Sequence, residues 1–212
     1  MTPEPLARRH PDQAPAPPDA PVWYVSYGSN MCAARFRCYL EGGTPPGGRR
    51  RNPGARDPSP PAADRPVDLP GTGYFAGRST QWGGGIMFYD HLTPGSTAGR
   101  AYLVTAGQLC DVAAQEMHVE LIDGHPLLSI DVTRLTGGRH SFGEGVYETL
   151  VEVGREDDVP LLTFTSPHGA TDVPHSRPSA AYLAMVAEGL RESRDWDDER
   201  IAAYFRTLYD AL

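Results

Sequence analysis

One carboxylate stands at the end of an apolar helix face, where it could transfer protons. Four residues with the helical spacing i, i+3, i+4 and i+7 share this predicted face: Leu109, Val112, Ala113 and Glu116. Because three of them are apolar, the pattern predicts that the face is buried. Burial and the negative end of a helix favour the protonated form of a carboxyl group, which suits a general acid and base. The alternative is that Glu116 turns to solvent at a fraying helix end.

The second candidate group is the backbone of Gly28-Ser29-Asn30. An apolar, β-branched strand is predicted over residues 22–27, and a helix over 31–40 with Ser29 or Asn30 as its N-cap. A strand that turns directly into a helix leaves unpaired N–H groups at the positive end of the helix dipole. Such a turn predicts a site for a carboxylate or phosphate, although Gly28 could simply make a tight turn.

A metal site is the alternative chemistry. Four further ionisable residues follow Glu116 closely: His118, Glu120, Asp123 and His125. Zinc sites combine histidine with carboxylates, but a familiar spacing such as His-Glu-x-x-His is not present in the sequence. The sequence also has no Gly-x-Ser-x-Gly elbow, Walker loop or dinucleotide fingerprint. We therefore expect no cofactor.

The elements that position these groups are predicted as a mixed sheet with helices. A capping box of Thr105 and Gln108 starts a helix at Ala106, Pro178-Ser179 starts another, and Asp197 or Asp198 caps a last one. Strand-like runs are predicted at 74–76, 86–89, 100–104, 127–135, 146–153 and 161–165. Glycines at 83–85 permit close approach by another element or a ligand. The fold class is α+β: a small mixed, mainly antiparallel β-barrel or sheet with flanking helices.

Composition divides the chain into an arm and one domain. Residues 1–21 are predicted as a disordered, Pro-rich arm, and 22–212 as a single domain with a long Pro/Gly/Arg-rich loop at 42–73. The basic run 49–51 in that loop could cover an acidic substrate or be solvated. The net charge of −8 argues against nucleic acid as a partner. With no long apolar run, no secretory signal and no metal or redox spacing among the three cysteines, we expect a cytoplasmic protein without a membrane partner.

A set of short motifs resembles the γ-glutamylcyclotransferase-like superfamily. The similarity starts at Tyr27-Gly28-Ser29-Asn30-Met31, which matches the YGSN[LM] signature after a first strand. It continues, in order, with Gly84-Gly85-Ile86, Gly99-Arg100-Ala101-Tyr102, Gln115-Glu116 and Pro178-Ser179-Ala180-Ala181-Tyr182. The resemblance spans about residues 22 to 208, and the ordered series is more specific than YGSN alone.

The resemblance implies a fold, a reaction and a set of residues. The fold would be a small mixed β-barrel with flanking helices, and the substrate a small γ-glutamyl compound that closes to 5-oxoproline without a metal. Glu116 would be the acid and base. The substrate-binding residues would be Tyr24, Val25, Ser26, Tyr27, Gly28, Ser29, Asn30 and Tyr182. Two departures leave the substrate open: Met117 stands where the family often has Gly after the glutamate, and Ala113 replaces an Asp.

Three functions therefore compete. The favoured one is an enzyme that cyclises a γ-glutamyl amide to 5-oxoproline and releases an amine or amino acid. The second is a non-catalytic γ-glutamyl or anion-binding module of the same fold. The third is a metal-dependent amidohydrolase or deacylase built on His118, Asp123 and His125.

Overall fold

The structure is a computed structural model that describes residues 14–120 and 125–210. The described residues form eight strands: β1 Pro21–Ser26, β2 Ala63–Pro70, β3 Thr72–Ala76, β4 Ile86–Asp90, β5 Ser96–Thr105, β6 Arg139–Ser141, β7 Thr149–Glu156 and β8 Val159–Thr165. Six of them form one sheet in the order β2-β5-β1-β8-β7-β6, and β3 pairs with β4. All pairs are antiparallel except β1 with β8. The predicted mixed, mainly antiparallel α+β fold is confirmed.

The small β3–β4 sheet is joined to the large sheet through a side chain. Tyr89 of β4 donates its N–H to Oγ1 of Thr165 on β8, and that hydroxyl donates to the Tyr89 carbonyl. Both bonds are buried, so they replace ladder pairing where the two sheets meet.

Four α-helices flank the sheets: α1 Ala33–Glu41, α2 Ala106–Met117, α3 Ala180–Arg194 and α4 Asp198–Asp210. The capping box at α2 is formed, with Gln108 N donating to Thr105 Oγ1 at 3.1 Å and Thr105 N donating to Gln108 Oε1 at 3.0 Å. Ser179 caps α3, and Asp197 is the cap of α4 because it accepts from Arg200 N at 2.8 Å. Within the described residues, no helix is long and apolar enough to cross a bilayer.

The core lies on both faces of β1. Val22 and Tyr24 pack on the side of α1 and α2, whereas Trp23 and Val25 pack on the side of α3 and α4. Successive side chains of a strand point to opposite faces, so a strand covered on both sides is apolar throughout. This explains the continuous apolar run in the sequence.

The start of α1 differs from the prediction. Residues Ser29–Met31 form a single 3₁₀ turn, and α1 begins only at Ala33, with Cys32 as an N-cap whose side chain does not bond to the helix N–H groups. Neither Ser29 nor Asn30 is the N-cap. Instead, the carboxylate of Glu192 on α3 accepts from Ala33 N at 2.7 Å. The carboxylate of Glu192, which is distant in the sequence, thus accepts an N–H bond at the start of α1 that a local N-cap side chain accepts in other helices.

Two further segments depart from the prediction. The strand expected over 127–135 is a 3₁₀ turn, Pro126–Leu128, followed by irregular chain. Its apolar residues Leu127 and Val132 are buried in the cluster that contains the α2 face, so their pattern reflects packing rather than strand pairing. The loop expected over 42–73 includes β2, which pairs with β5 as an edge strand that tolerates two prolines.

The predicted arm lies partly outside the described residues, which begin at residue 14. Its last part contacts α2: Gly107 N donates to Pro18 O, and Ala106 N donates to Ala20 O, both at 2.8 Å. These bonds satisfy two amides at the start of α2. The segment before β1 is therefore part of the domain's packing.

Candidate active site

A cavity of about 210 Å³ lies where the loop after β1 meets the end of α2 and the start of α3. Residues 24 and 26–30, together with Glu116 and Tyr182, line it. Eight of the nine predicted site residues therefore meet at one place. Val25 does not line the cavity, because its side chain is fully buried on the opposite face of β1 from Tyr24 and Ser26.

Glu116 lies in the last turn of α2. Leu109, Val112 and Ala113 on the same face are buried, as predicted, and the Glu116 side chain is half-buried at the cavity wall. Asn30 Nδ2 donates to Glu116 Oε1 at 2.7 Å and to the Tyr24 hydroxyl at 3.0 Å. The charge-assisted bond holds the carboxylate in place on the side of the YGSN loop.

Tyrosine hydroxyls surround the carboxylate. Burial first, and then the negative charge of Glu116, raise the pKa of Tyr24 and of Tyr39. Burial raises the pKa of Tyr182 to about 12, with a smaller contribution from Glu116 in the same direction. These hydroxyls are thus neutral hydrogen-bond donors at physiological pH.

The loop after β1 is shaped by its glycine. A Cβ on Gly28 would lie 2.7 Å from the Tyr182 hydroxyl, so only glycine lets this hydroxyl sit against the loop. The carbonyls of Gly28 and Ser29 accept bonds from Met31 N and Cys32 N inside the turn. Within the described residues, no protein acceptor takes the N–H of Gly28 or of Asn30. These amides can receive an anionic ligand.

Side chains of β5 hold the backbone of the YGSN loop in place through hydrogen bonds. The Tyr102 hydroxyl donates to the carbonyls of Asn30 and Met31, both at 3.0 Å, and Arg100 NH1 donates to Met31 O at 2.9 Å. The same Arg100 nitrogen donates to Glu192 Oε2 at 2.7 Å. The bonds use main-chain carbonyls, so they fix the backbone that forms the cavity wall.

Sequence reasoning missed Arg35 and Tyr39 of α1, which line the cavity. Arg35 is only 6% exposed, and its guanidinium donates to the Tyr39 hydroxyl at 2.5 Å and to Asn52 Oδ1 at 2.8 Å. It also stacks on the Tyr39 ring, with its carbon 4.3 Å from the ring centroid. The i, i+4 spacing of this pair on a predicted helix was the available signal.

The outer wall of the cavity is the segment 78–82, which the sequence did not predict as part of the site. The long loop supports this wall, since Arg50 N donates to Gln81 Oε1 at 2.8 Å and Gln81 Nε2 donates to Arg50 O at 3.2 Å. Hydrogen bonds of this kind, between the main chain of one segment and a side chain of a distant one, leave no pattern in the sequence. Arg50 therefore braces the wall through its main chain, although it is exposed like Arg49 and Arg51.

The glycines after this wall approach another element of the protein. Gly85 N donates to Arg177 O at 2.7 Å, and a Cβ on Gly84 would lie 2.7 Å from both Arg177 O and Ser179 N. The missing side chains thus let the chain that leads into α3 pass closely. This contact places the start of α3, and with it Tyr182, at the cavity.

Two of the three residues of the alternative metal site, His118 and His125, lie in the described structure. His118 lines the cavity, and His125 Nδ1 accepts from Leu127 N at 3.2 Å. Asp123 lies outside the described residues. Among residues 14–120 and 125–210, no three His, Cys, Asp or Glu side chains are grouped so that they could hold a metal ion.

Comparisons with known proteins give one relative by sequence and several by structure. No protein-family model matches the chain. The chain is 31% identical to Histone deacetylase 5 of Arabidopsis thaliana over 197 residues, which are 86% of this chain and 30% of that protein. The chain thus spans less than a third of this curated relative.

Solved structures share the fold at low sequence identity. A structure titled Gamma-glutamyl cyclotransferase has a TM-score of 0.52 and 14% identity, covering 87% of this chain and 86% of the other. A crystal structure of an uncharacterized protein from Homo sapiens has a TM-score of 0.51 and 15% identity, with the same coverage. The chain therefore has the gamma-glutamyl cyclotransferase fold.

Proposed function

We propose that the protein is an enzyme of the γ-glutamylcyclotransferase type, which converts a γ-glutamyl amide into 5-oxoproline and a free amine or amino acid. One observation carries the proposal: Glu116 and the residues of the YGSN loop line the same cavity, with Asn30 Nδ2 bonded to Glu116 Oε1 at 2.7 Å. A cavity of about 210 Å³ suits a glutamyl unit. The fold that the protein shares with the gamma-glutamyl cyclotransferase structure supports this type of enzyme, but does not identify its substrate.

Binding in this proposal uses the loop after β1. The N–H groups of Gly28 and Asn30, which have no protein acceptor within the described residues, receive the α-carboxylate of the glutamyl group. The Tyr182 hydroxyl lies over the loop and is available as a neutral donor. Fixing the carboxylate there directs the α-amine and the rest of the side chain toward Glu116.

The chemical step is an intramolecular aminolysis. Glu116 takes a proton from the α-ammonium group, and the free amine attacks the γ-carbonyl carbon to form the new C–N bond. The tetrahedral intermediate then breaks the original amide bond. Glu116 returns its proton to the departing nitrogen, and the ring nitrogen loses its second proton to solvent, which leaves the neutral lactam and a free amine. The reaction is already intramolecular, so the enzyme's entropic contribution is to hold the glutamyl chain folded with the amine close to the γ-carbonyl carbon.

The test is release of 5-oxoproline from a panel of γ-glutamyl amides. We expect turnover by the wild-type protein and at least a roughly 100-fold loss of kcat in Glu116→Gln, because general acid–base catalysis contributes about that much. Glu120→Gln is the matched control, since Glu120 is exposed and does not line the cavity. Full activity in Glu116→Gln would eliminate Glu116 as the base.

The two alternatives make different predictions for the same preparation. A non-catalytic module predicts thermal stabilisation by γ-glutamyl amides without release of 5-oxoproline. A metal-dependent deacylase, the class that the name of the Arabidopsis relative suggests, predicts that a chelator abolishes activity. Turnover that survives the chelator would support the cyclotransferase over both.

A further inference from the structure

A second cavity, of about 500 Å³, lies beside the candidate active site. Most of its wall is apolar and comes from Tyr74, Ala76, Phe88, Val146, Val173 and Pro174. Besides the Tyr74 phenol, its ionisable lining residues are Glu144, His168 and His175, and neither Lys nor Arg lines it within the described structure. This chemistry suits a neutral, apolar group and disfavours a carboxylate.

The two cavities are separated by a narrow ridge. Val146 lines both of them, and it is 48% exposed. The next residue, Tyr147, lines the first cavity and packs on Phe88 of the second, with ring centroids 5.2 Å apart. Ile86 and Phe88 lie on one face of β4 and line the first and second cavity respectively. The cavities are therefore neighbours along a single strand.

The ridge is fixed and lies close to the reacting groups. Tyr147 donates its hydroxyl to Met87 O at 2.7 Å, which holds the ring in place. The first cavity measures only about 210 Å³, so a glutamyl unit bound there would leave little room for a large leaving group. Across the Val146 ridge, the second cavity offers apolar space for it.

We propose that the second cavity is the leaving-group subsite and binds the aromatic or branched apolar part of an amine joined to the γ-carboxyl of glutamate. This proposal rests on the proposed function, since it assigns a substrate class to the same site. It favours amides of apolar amines over amides of amino acids, whose carboxylate would lose its hydration against a mostly apolar wall that has no Lys or Arg among the described residues.

The test compares two amides that differ only in the leaving group: γ-L-glutamylbenzylamide and γ-L-glutamylmethylamide. We expect the wild-type protein to have a roughly 10- to 100-fold higher kcat/KM for the benzylamide, mainly through KM, because burial of an apolar group in a pocket is worth about that factor. γ-L-Glutamyl-phenylalanine, which adds a carboxylate, should be a poorer substrate than the benzylamide.

Val173→Arg is the variant that tests the subsite. Val173 lines the second cavity but not the first, and it is half-buried, so the longer side chain should fill the space without unfolding the protein. We expect it to lower kcat/KM for the benzylamide more than for the methylamide, and so to remove the preference for the benzylamide. Val173→Ala should also lower the ratio of kcat/KM for the benzylamide to that for the methylamide, but by less than Val173→Arg. Leu92→Arg, at a residue that is 75% exposed and lines neither cavity, is the control.

Binding to Glu116→Gln, measured by calorimetry, separates this proposal from the proposed function. Tighter binding of the benzylamide without turnover in the wild-type protein would support the subsite and refute the cyclotransferase. Turnover of both amides with equal kcat/KM would support the enzyme and overturn the subsite. Equal losses of kcat/KM for both amides in Val173→Arg would also overturn the subsite. If neither amide binds to Glu116→Gln, both proposals are overturned.

Discussion

Asn30 donates its side-chain amide to Glu116 at 2.7 Å, and this bond joins the YGSN loop to the end of α2. Asn30→Asp would place a second carboxylate at that distance. Two carboxylates so close cannot both be ionised, which disturbs proton transfer by Glu116. We expect kcat for 5-oxoproline release to fall at least about 100-fold. Initial rates at saturating γ-glutamyl amide measure this.

Asn30→Ala separates the lost bond from the added charge. It removes a hydrogen bond to a charged group, worth about 1.5–3 kcal/mol, so activity should fall by roughly 10- to 100-fold and less than in Asn30→Asp. Urea unfolding of both variants checks that they are folded. An Asn30→Asp enzyme as fast as wild type would contradict a role for this bond during turnover.

Glu192 supports the loop from α3. Its carboxylate accepts from Ala33 N at the start of α1 and from Arg100, which is 9% exposed at its side chain. Glu192→Gln keeps the shape but loses the charge, and we expect the free energy of unfolding to fall by roughly 1–2 kcal/mol. Glu188→Gln is the matched control on the same helix. It pairs with Arg191 in solvent, so its effect should stay within about 0.5 kcal/mol.

Gly189 allows α3 to touch the loop backbone. A Cβ there would lie 2.5 Å from Met31 C and 2.6 Å from Cys32 N, besides meeting Met31 Cβ, so backbone would have to move. Gly189→Ala should therefore lower the free energy of unfolding by about 1–3 kcal/mol, although alanine favours helices. Ala184→Gly, at an exposed site of α3, tests propensity alone and should lower it by about 1 kcal/mol. A stabilised Gly189→Ala protein in urea unfolding would contradict the close approach.

Local signals in the sequence were sufficient for several elements. The apolar run of β1, the Thr105–Gln108 capping box and the Ser179 cap each depend on neighbours in the chain, and each was predicted and found. The helical spacing that ends in Glu116 also predicted the buried face of α2 correctly, because this face packs against one side of the sheet. Local patterns therefore located Glu116 and the turn at residues 28–30. The resemblance, not the local patterns, supplied Tyr24, Ser26, Tyr27 and Tyr182.

Interactions between distant segments were not predictable in this way. The cap of α1 comes from Glu192, far along the chain, so the search for a local cap chose Ser29 or Asn30 wrongly. The 127–135 run has strand-like composition but packs as irregular chain, since burial alone favours the same residue types. Arg35 was missed because its partners at the cavity include Asn52 from the long loop.

The pH dependence of stability should reveal His140. Its ring packs on Phe142, with centroids 4.6 Å apart, and burial lowers the pKa of His140 below its usual value. The unfolded chain takes up this proton near pH 6.5, whereas the folded protein does so only at lower pH, so the unfolded state binds more protons in between. The stabilisation is thus complete above about pH 6.5 and is lost as the pH falls toward the lower folded pKa.

His140→Gln should reduce the loss of unfolding free energy between pH 7.5 and pH 5, measured in urea. Adding His91→Gln should reduce it further, because burial and then Arg139 lower the pKa of His91; an unchanged pH difference in the double variant would refute this account.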